Sequence, residues 1–274
     1  MSPSVRRLNW HAALAACMWF SLAGSAFAQF PHPLDEPPSA ADFLPRMDWK
    51  MSAALLANPD PRFTWDAHWA GDFDLVTYPR GRASVLVDYQ ALLGSEFRAF
   101  DPYQSNYQLE ASGSYFAGKT EIAGVLSHIS RHLGDRPKLV TVAENSLGPR
   151  IMRRMGDETK ASFDVRVDVR KVIARAYDDY NWIEEAELVA RRRLSPRTWF
   201  FARGYGEFIQ VDATVAGREA QKGGRIELGV RLKGKSTSGA SLELFGGGER
   251  LIDADPLDRT PQGWAYLGVR VLGR

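Results

Sequence analysis

Cysteine is nearly missing from this chain. Its 274 residues include one, Cys17, and that residue lies in a stretch that reads as a removable leader. The remainder then has none, which excludes disulfides and thiolate metal sites. Charge of a single sign is also lacking. There are 35 Lys and Arg against 33 Asp and Glu, and the surplus, Arg6 and Arg7, falls in the leader. Nucleic-acid binding asks for a basic excess, so nucleic acid is not an expected partner. Long apolar runs are absent too: beyond the leader nothing approaches the ~18 apolar residues of a membrane helix. What is present, 45 % hydrophobic and 25 % charged residues, is the composition of a folded protein and not of a disordered one.

Residues 1–28 have the layout of a secretory signal. Arg6 and Arg7 form the charged start, an apolar run extends from Ala12 to Phe27, and Ala26-Phe27-Ala28 supplies an A-x-A-like cleavage site before Gln29. Leu14-Ala15-Ala16-Cys17 offers a competing lipobox reading, with Cys17 as a lipid-bearing terminus. Met18-Trp19-Phe20 continues the apolar run past the cysteine, which favours the cleaved signal. Residues 29–45, with Pro31, Pro33, Pro37, Pro38 and Pro45, read as an extended periplasmic lead-in.

From residue 46 to 274 nearly every segment alternates with period two. Phe163, Val165, Val167 and Val169 interleave with Asp164, Arg166, Asp168 and Arg170. Trp65, Ala67, Trp69, Phe73 and Leu75 oppose Asp66, His68, Asp72 and Asp74. Ile226, Leu228, Val230 and Leu232 oppose Glu227, Arg231 and Lys233. In a strand these sets fall on opposite faces, one oily and one charged. The segments are long, short turns alternate with longer loops, and aromatics sit at strand ends. Trp65, Tyr107, Trp182 and Trp264 border the longer loops, and Trp49, Tyr78 and Trp199 lie at the opposite ends. These features predict an all-β fold: a closed antiparallel transmembrane β-barrel in the bacterial outer membrane, with two aromatic girdles. About twelve strands are expected, near 47–57, 64–77, 82–93, 105–116, 119–132, 139–155, 160–174, 180–193, 197–211, 223–235, 239–250 and 263–273. Gly148-Pro149 breaks the phase of the sixth, where a bulge is expected.

The inward faces carry both signs: Asp88, Glu110, Asp164, Arg166, Asp168, Arg170, Arg203, Glu207, Glu227, Arg231, Glu243 and Arg270. Buried charges persist when paired, so a lumen of cross-strand ion pairs is expected in place of the single-sign lining of a selective pore.

His128, Ser130 and His132 project from one face of the fifth strand. Neighbours on a face are ~6.6–6.8 Å apart along the chain, so His128 can reach the Ser130 hydroxyl, whereas His128 and His132 are ~13 Å apart and cannot share a metal. A histidine beside a serine is what nucleophilic catalysis requires, with a third group to hold the ring. Pairing across residues 133–138 sets His128 opposite about Ala143, with Asn145 as a diagonal neighbour able to orient the imidazole; a one-residue slip substitutes Glu144. Val140 and Val142 then share a face with Ala123, Val125 and Ile129, an apolar set that suits lipid. This turns His128, Ser130, His132, Thr141 and Asn145 toward the lumen. Ile122 and Leu126, on the histidine face, pull the other way.

The His128-x-Ser130 pair resembles outer-membrane phospholipase A and the lipid A 3-O-deacylase family, barrels with a His-Ser pair facing lipid near the outer leaflet. That likeness implies a lipid acyl hydrolase. Those families usually place Asn after the serine, where this chain has Arg131. The longer block His128-x-Ser130-x-His132-Leu133-Gly134-Asp135 is more similar to a family of bacterial outer-membrane barrels with an H-x-S-x-H-L-G-D-E block and no assigned activity; Arg136 replaces the final acid. This resemblance implies the fold and its location alone.

Gly246-Gly247-Gly248 lacks the Lys-Ser/Thr of a phosphate loop and reads as a place where a curved strand approaches its neighbour. Asp253, Asp255 and Asp258 miss the EF-hand spacing and read as a solvated outer loop. His32 and His68 have no evident partners. The expectation is a non-enzymatic outer-membrane barrel, structural or a narrow solute path, without cofactor or metal. Its partners are outer-membrane lipid, the barrel-assembly machinery during insertion and a small solute. The rival is an acyl hydrolase using Ser130, His128 and Asn145 or Glu144, and a soluble periplasmic binding module is a third class.

Overall fold

The computed structural model describes residues 31–134, 140–235 and 239–273. The expected leader, with Cys17, and the block residues Asp135 and Arg136 lie outside them. Twelve strands follow in order: β1 (Asp42–Ala57), β2 (Trp65–Tyr78), β3 (Gly81–Gly94), β4 (Asp101–Ala117), β5 (Thr120–Leu133), β6 (Val142–Asp157), β7 (Ala161–Ala176), β8 (Tyr180–Ser195), β9 (Thr198–Val211), β10 (Gln221–Lys233), β11 (Ser241–Asp255) and β12 (Thr260–Gly273). A single-turn helix, α1 (Ala213–Ala216), caps the β9–β10 loop. Each strand pairs antiparallel with its sequence neighbours, and β1 pairs with β12, from Trp49–Gly273 to Ala57–Ala265, to close the barrel.

Alternation dictates this closure. Phe163, Val167 and Val169 are exposed on the outer wall, while Asp164, Arg166, Asp168 and Arg170 are buried within. Ile226, Leu228 and Leu232 face outward, and Glu227 is fully enclosed. An open sheet would leave either its edge amides or its charged face unpartnered; closure satisfies both.

The inward charges are paired, as expected. Inward side chains two strands apart stand roughly 10 Å from one another at the backbone, and wall curvature brings long tips together. Arg82 of β3 therefore reaches over β4 to Glu121 of β5, with Nε–Oε1 at 2.7 Å. Arg150 holds Glu110 and Asp168, each at 2.5 Å. Arg170 meets Glu185 at 2.9 Å, and Arg203 sits between Glu187 and Glu227 at 3.3 and 3.2 Å.

Two register shifts matter for the interior. On β2 a shift between Asp74 and Val76 changes the phase of the strand above it. On β11 the shift after Leu251 brings Ile252, Asp253 and Ala254 into the barrel, with Asp253 at φ 47°. The bulge expected in β6 at Gly148-Pro149 is not there: the register runs through these residues unbroken, and the shift in this region lies between Asn145 and Ser146, where the extra residue is Ile173 of β7. Gly247 permits the close approach expected of the triple glycine: a Cβ there would lie 2.0 Å from the Ile226 carbonyl and 2.6 Å from the Tyr266 hydroxyl.

The outer end is filled. Phe63, from the β1–β2 loop, is fully buried between Tyr103 and Trp264, with ring centroids 5.2 and 5.5 Å away. Trp264 thus belongs to this cluster and not to a girdle, because the inward parity of β12 sets it beside Tyr266. Asp253 and Asp255 are not in a solvated loop either. Asp253 accepts from the Tyr180 hydroxyl and from Arg218, both at 2.7 Å; Asp255 accepts from Arg62 at 2.7 Å and Tyr103 at 2.6 Å.

The inner end, which carries the short turns, receives the lead-in. Pro31 and Pro33 are buried. Arg82 donates to the His32 carbonyl at 2.8 Å, Arg154 pairs with Asp35 at 2.8 Å, and the Arg80 amide donates to the Pro38 carbonyl at 2.9 Å. The proline-rich stretch is an internal stopper more than a free lead-in, and β1 begins within it.

Candidate functional site

Glu121 and Arg131 set the phase of β5. Glu121 is locked inside by Arg82, and Arg131 is buried with its guanidinium 5.8 Å over the Tyr180 ring. Both share parity with Ala123, Val125, Ser127 and Ile129, so that whole set faces inward; Ala123 is 4 % exposed and Val125 0 %. The apolar set expected to meet lipid, with Val142 at 1 %, thus lines the lumen. His128, Ser130 and His132 face outward with the exposed Ile122 and Leu126. Two ions at the strand ends outweigh a few small aliphatics in the middle, because unpaired charge in lipid costs several kcal/mol and an inward alanine or valine costs little.

The register differs from the expected one by two residues. His128 pairs directly with Asn145, and its Nδ1 lies 2.8 Å from the Asn145 Oδ1. The amide oxygen accepts, so the imidazole donates from Nδ1 in this pair. Glu144, the alternative orienter, is opposite Ile129 and buried in the lumen; it cannot serve the outward face. Ser130 Oγ lies 3.3 Å from His132 Nε2. The imidazole within hydrogen-bond reach of the serine is therefore that of His132, with His128 and Asn145 forming an adjacent pair.

This cluster stands at the level of an aromatic belt. Ser130 is the cross-strand partner of Tyr107, Tyr107 of Tyr89, and Tyr89 of Trp69. The rings run continuously: Trp69–Tyr89 at 5.6 Å, Tyr89–Tyr107 at 5.0 Å and Tyr107–His132 at 5.4 Å. Tyr107 was legible as a girdle residue, and Trp182 is likewise exposed on the outer wall.

The lumen contains groups that sequence reasoning missed. His68 has partners: Nδ1 is 2.9 Å from Asp88 and Nε2 is 3.1 Å from Asp66, and Asp88 also holds Lys50 at 3.0 Å. Counting back from the β2–β3 turn sets His68 opposite Ala91; the shift after Asp74 restores Gln90. Only that shift gives His68 the parity of Asp88. His32 sits at the inner mouth, where burial, then Arg191, Arg154 and Arg231, holds its imidazole well below the ordinary range. At the outer rim Asp178, Asp179 and Asp253 come close enough to surround a cation. Arg218 bridges Asp179 and Asp253 at 2.6 and 2.7 Å and supplies the countercharge.

No family model matches the sequence, and no curated protein matches it. Among solved structures, an outer-membrane channel from Pseudomonas putida F1 is similar, with a TM-score of 0.51 and 12 % identity over 83 % of this chain and 92 % of that one. The Omp33 outer membrane protein of Acinetobacter baumannii has a TM-score of 0.41 and 9 % identity over 86 % of this chain and 100 % of that one. At these identities the first likeness shows a shared barrel fold.

Proposed function

We propose that this protein is a bacterial outer-membrane β-barrel without a catalytic role, a narrow solute path that its own ion pairs hold shut. It reaches the membrane through a cleaved leader and the barrel-assembly machinery, and its partners are outer-membrane lipid and a small solute. The observation that carries this reading is the contrast between walls: an oily exterior with exposed Leu109, Ile122, Leu228 and Leu244, and an interior where Arg150, Asp168, Glu227 and Arg270 are at most 1 % exposed. A membrane explains the first, and paired charge without a water-filled core explains the second. The likeness in fold to an outer-membrane channel is consistent with it. The test is reconstitution of the purified chain in planar bilayers. Conductance far below that of an open porin is expected; a wide, steadily open wild-type pore overturns the reading.

A second reading has its own support. Ser130 faces the lipid side at the aromatic belt, with His132 in reach and His128 held by Asn145. A lipid acyl hydrolase needs that placement: the serine attacks an ester carbonyl while a neighbouring imidazole takes its proton. Acyl release from phospholipid or lipid A by pure protein, abolished in Ser130→Ala, selects this reading; equal background release from wild type and variant removes it.

A further inference from the structure

The inner mouth of the barrel encloses a cavity of about 390 Å³, within the range of small-molecule sites. Its cationic lining comes from two strands, Arg191 and Arg193 of β8 and Arg231 and Lys233 of β10, with Trp199 of the intervening β9 between them. The acids on the wall are Asp48 and Glu158. Each is engaged by another arginine, Asp48 by Arg46 at 2.6 Å and Glu158 by Arg154 at 2.9 Å.

Arg231 is paired with Glu243 at 2.6 Å; the other three cations are less completely matched. Arg193 spends its N–H groups on main-chain carbonyls of Ser195, Thr159 and Pro196, at 3.1, 3.3 and 3.2 Å, and pairs with no carboxylate among the described residues. The Lys233 ammonium makes no ion pair among the described residues. Arg191 shares one carboxylate, Asp164, with Arg154. Its side chain is 6 % exposed, and its Nε–H is buried without a hydrogen-bond partner. The imidazole of His32 lines the same cavity, and burial first, then the neighbouring Arg191, Arg154 and Arg231, lowers its basicity.

We infer that this vestibule is a binding site for a small oxyanion, a carboxylate or phosphate group presented from the inner side of the barrel, with Arg191 and Lys233 as its principal contacts. Arg191 lines the cavity with a guanidinium whose charge is met by a carboxylate it must share, the group that suits planar or tetrahedral oxyanions. Lys233, at the exposed end of β10, supplies a point charge at the entrance. The site is independent of whether the barrel conducts or catalyses, since it needs only the folded inner mouth.

The experiment is calorimetric titration of the full chain in uncharged detergent at low ionic strength, with inorganic phosphate in one arm and succinate in the other. Saturable binding is expected in at least one arm, weakened by added chloride. Loss of one charge-assisted contact weakens binding roughly tenfold, so Arg191→Gln and Lys233→Glu are each expected to do so. Lys222→Glu, at the far end of the same strand, is expected to leave it unchanged. Lys233 is exposed, so its variant tests the site even if Arg191→Gln fails to fold. Absence of saturable binding by wild type up to about 10 mM of either anion, or equal affinity in wild type and Lys233→Glu, overturns the inference.

Discussion

Arg270 of β12 grips Glu227 of β10 across the full width of β11, with Nη2–Oε2 at 2.8 Å and Nη1–Oε1 at 3.0 Å. Glu227 also receives Arg203 at 3.2 Å, and Arg270 also binds Glu243. These residues are all buried inside the barrel. Removing one member strands the rest, and breaking a buried pair costs about 3–5 kcal/mol. Glu227→Ala is expected to lose stability on that scale in guanidinium unfolding in detergent micelles. Replacing Glu227 and Arg270 together by Met is expected to cost clearly less than the single change, because no charge is left orphaned. Equal losses would show that the pair contributes shape and not charge balance.

The outer wall gives a second expectation. Val167 is 40 % exposed and flanked by the exposed Ile151 on β6. Arginine on the lipid face of a barrel costs roughly 2–4 kcal/mol near mid-membrane. Val167→Arg is expected to destabilise by that amount in lipid vesicles, whereas Val167→Leu stays within about 1 kcal/mol. A neutral Val167→Arg would place this surface outside the bilayer.

Phe63 tests the outer closure. It belongs to a loop, yet it packs against Tyr103 and Trp264, and Arg62 beside it binds Asp255. Phe63→Ala is expected to cost about 3–5 kcal/mol by cavity formation. If the plug is what blocks passage at that end, conductance in planar bilayers also rises. A folded variant of unchanged stability would show that the loop merely rests on the barrel.

Asp178, in the β7–β8 loop, supplies a pH expectation. Burial raises its carboxyl above the ordinary range, and Asp253 and Asp179 add to the effect against the pull of Arg131. A raised folded-state pKa means that folding favours the protonated acid. Its contribution is therefore fully present below the ordinary carboxylate range and is lost as pH rises through the raised value. Asp178→Asn is expected to melt higher than wild type at pH 7, with the gap closing at about pH 3.5, below the ordinary aspartate pKa. A gap that widens in acid would reverse the assignment.

Most of the architecture could be read from residue order. Strand ends match to within about five residues in every case, because a wall between oil and ions enforces strict alternation and turns interrupt it visibly. The sign-balanced lumen was legible for the same reason. On β5 that logic faltered, since both faces of Thr120–Leu133 mix polar and apolar residues. Local pattern favoured the valines as the oily side. The decision belongs to Arg82 and Tyr180, which lie far along the chain and claim Glu121 and Arg131 for the interior.

Sequence by itself determined that the chain alternates, how many times it turns, and that its charges must be shared across strands. Tertiary structure alone decided where single side chains meet: His128 with Asn145, His68 between Asp66 and Asp88, Phe63 beneath Trp264, Pro31 and Pro33 in the inner mouth. The physical reason is that period two fixes a face only up to inversion. A one-residue shift such as that after Asp74 inverts the face for the rest of its strand, and only contacts from other strands choose between the two outcomes.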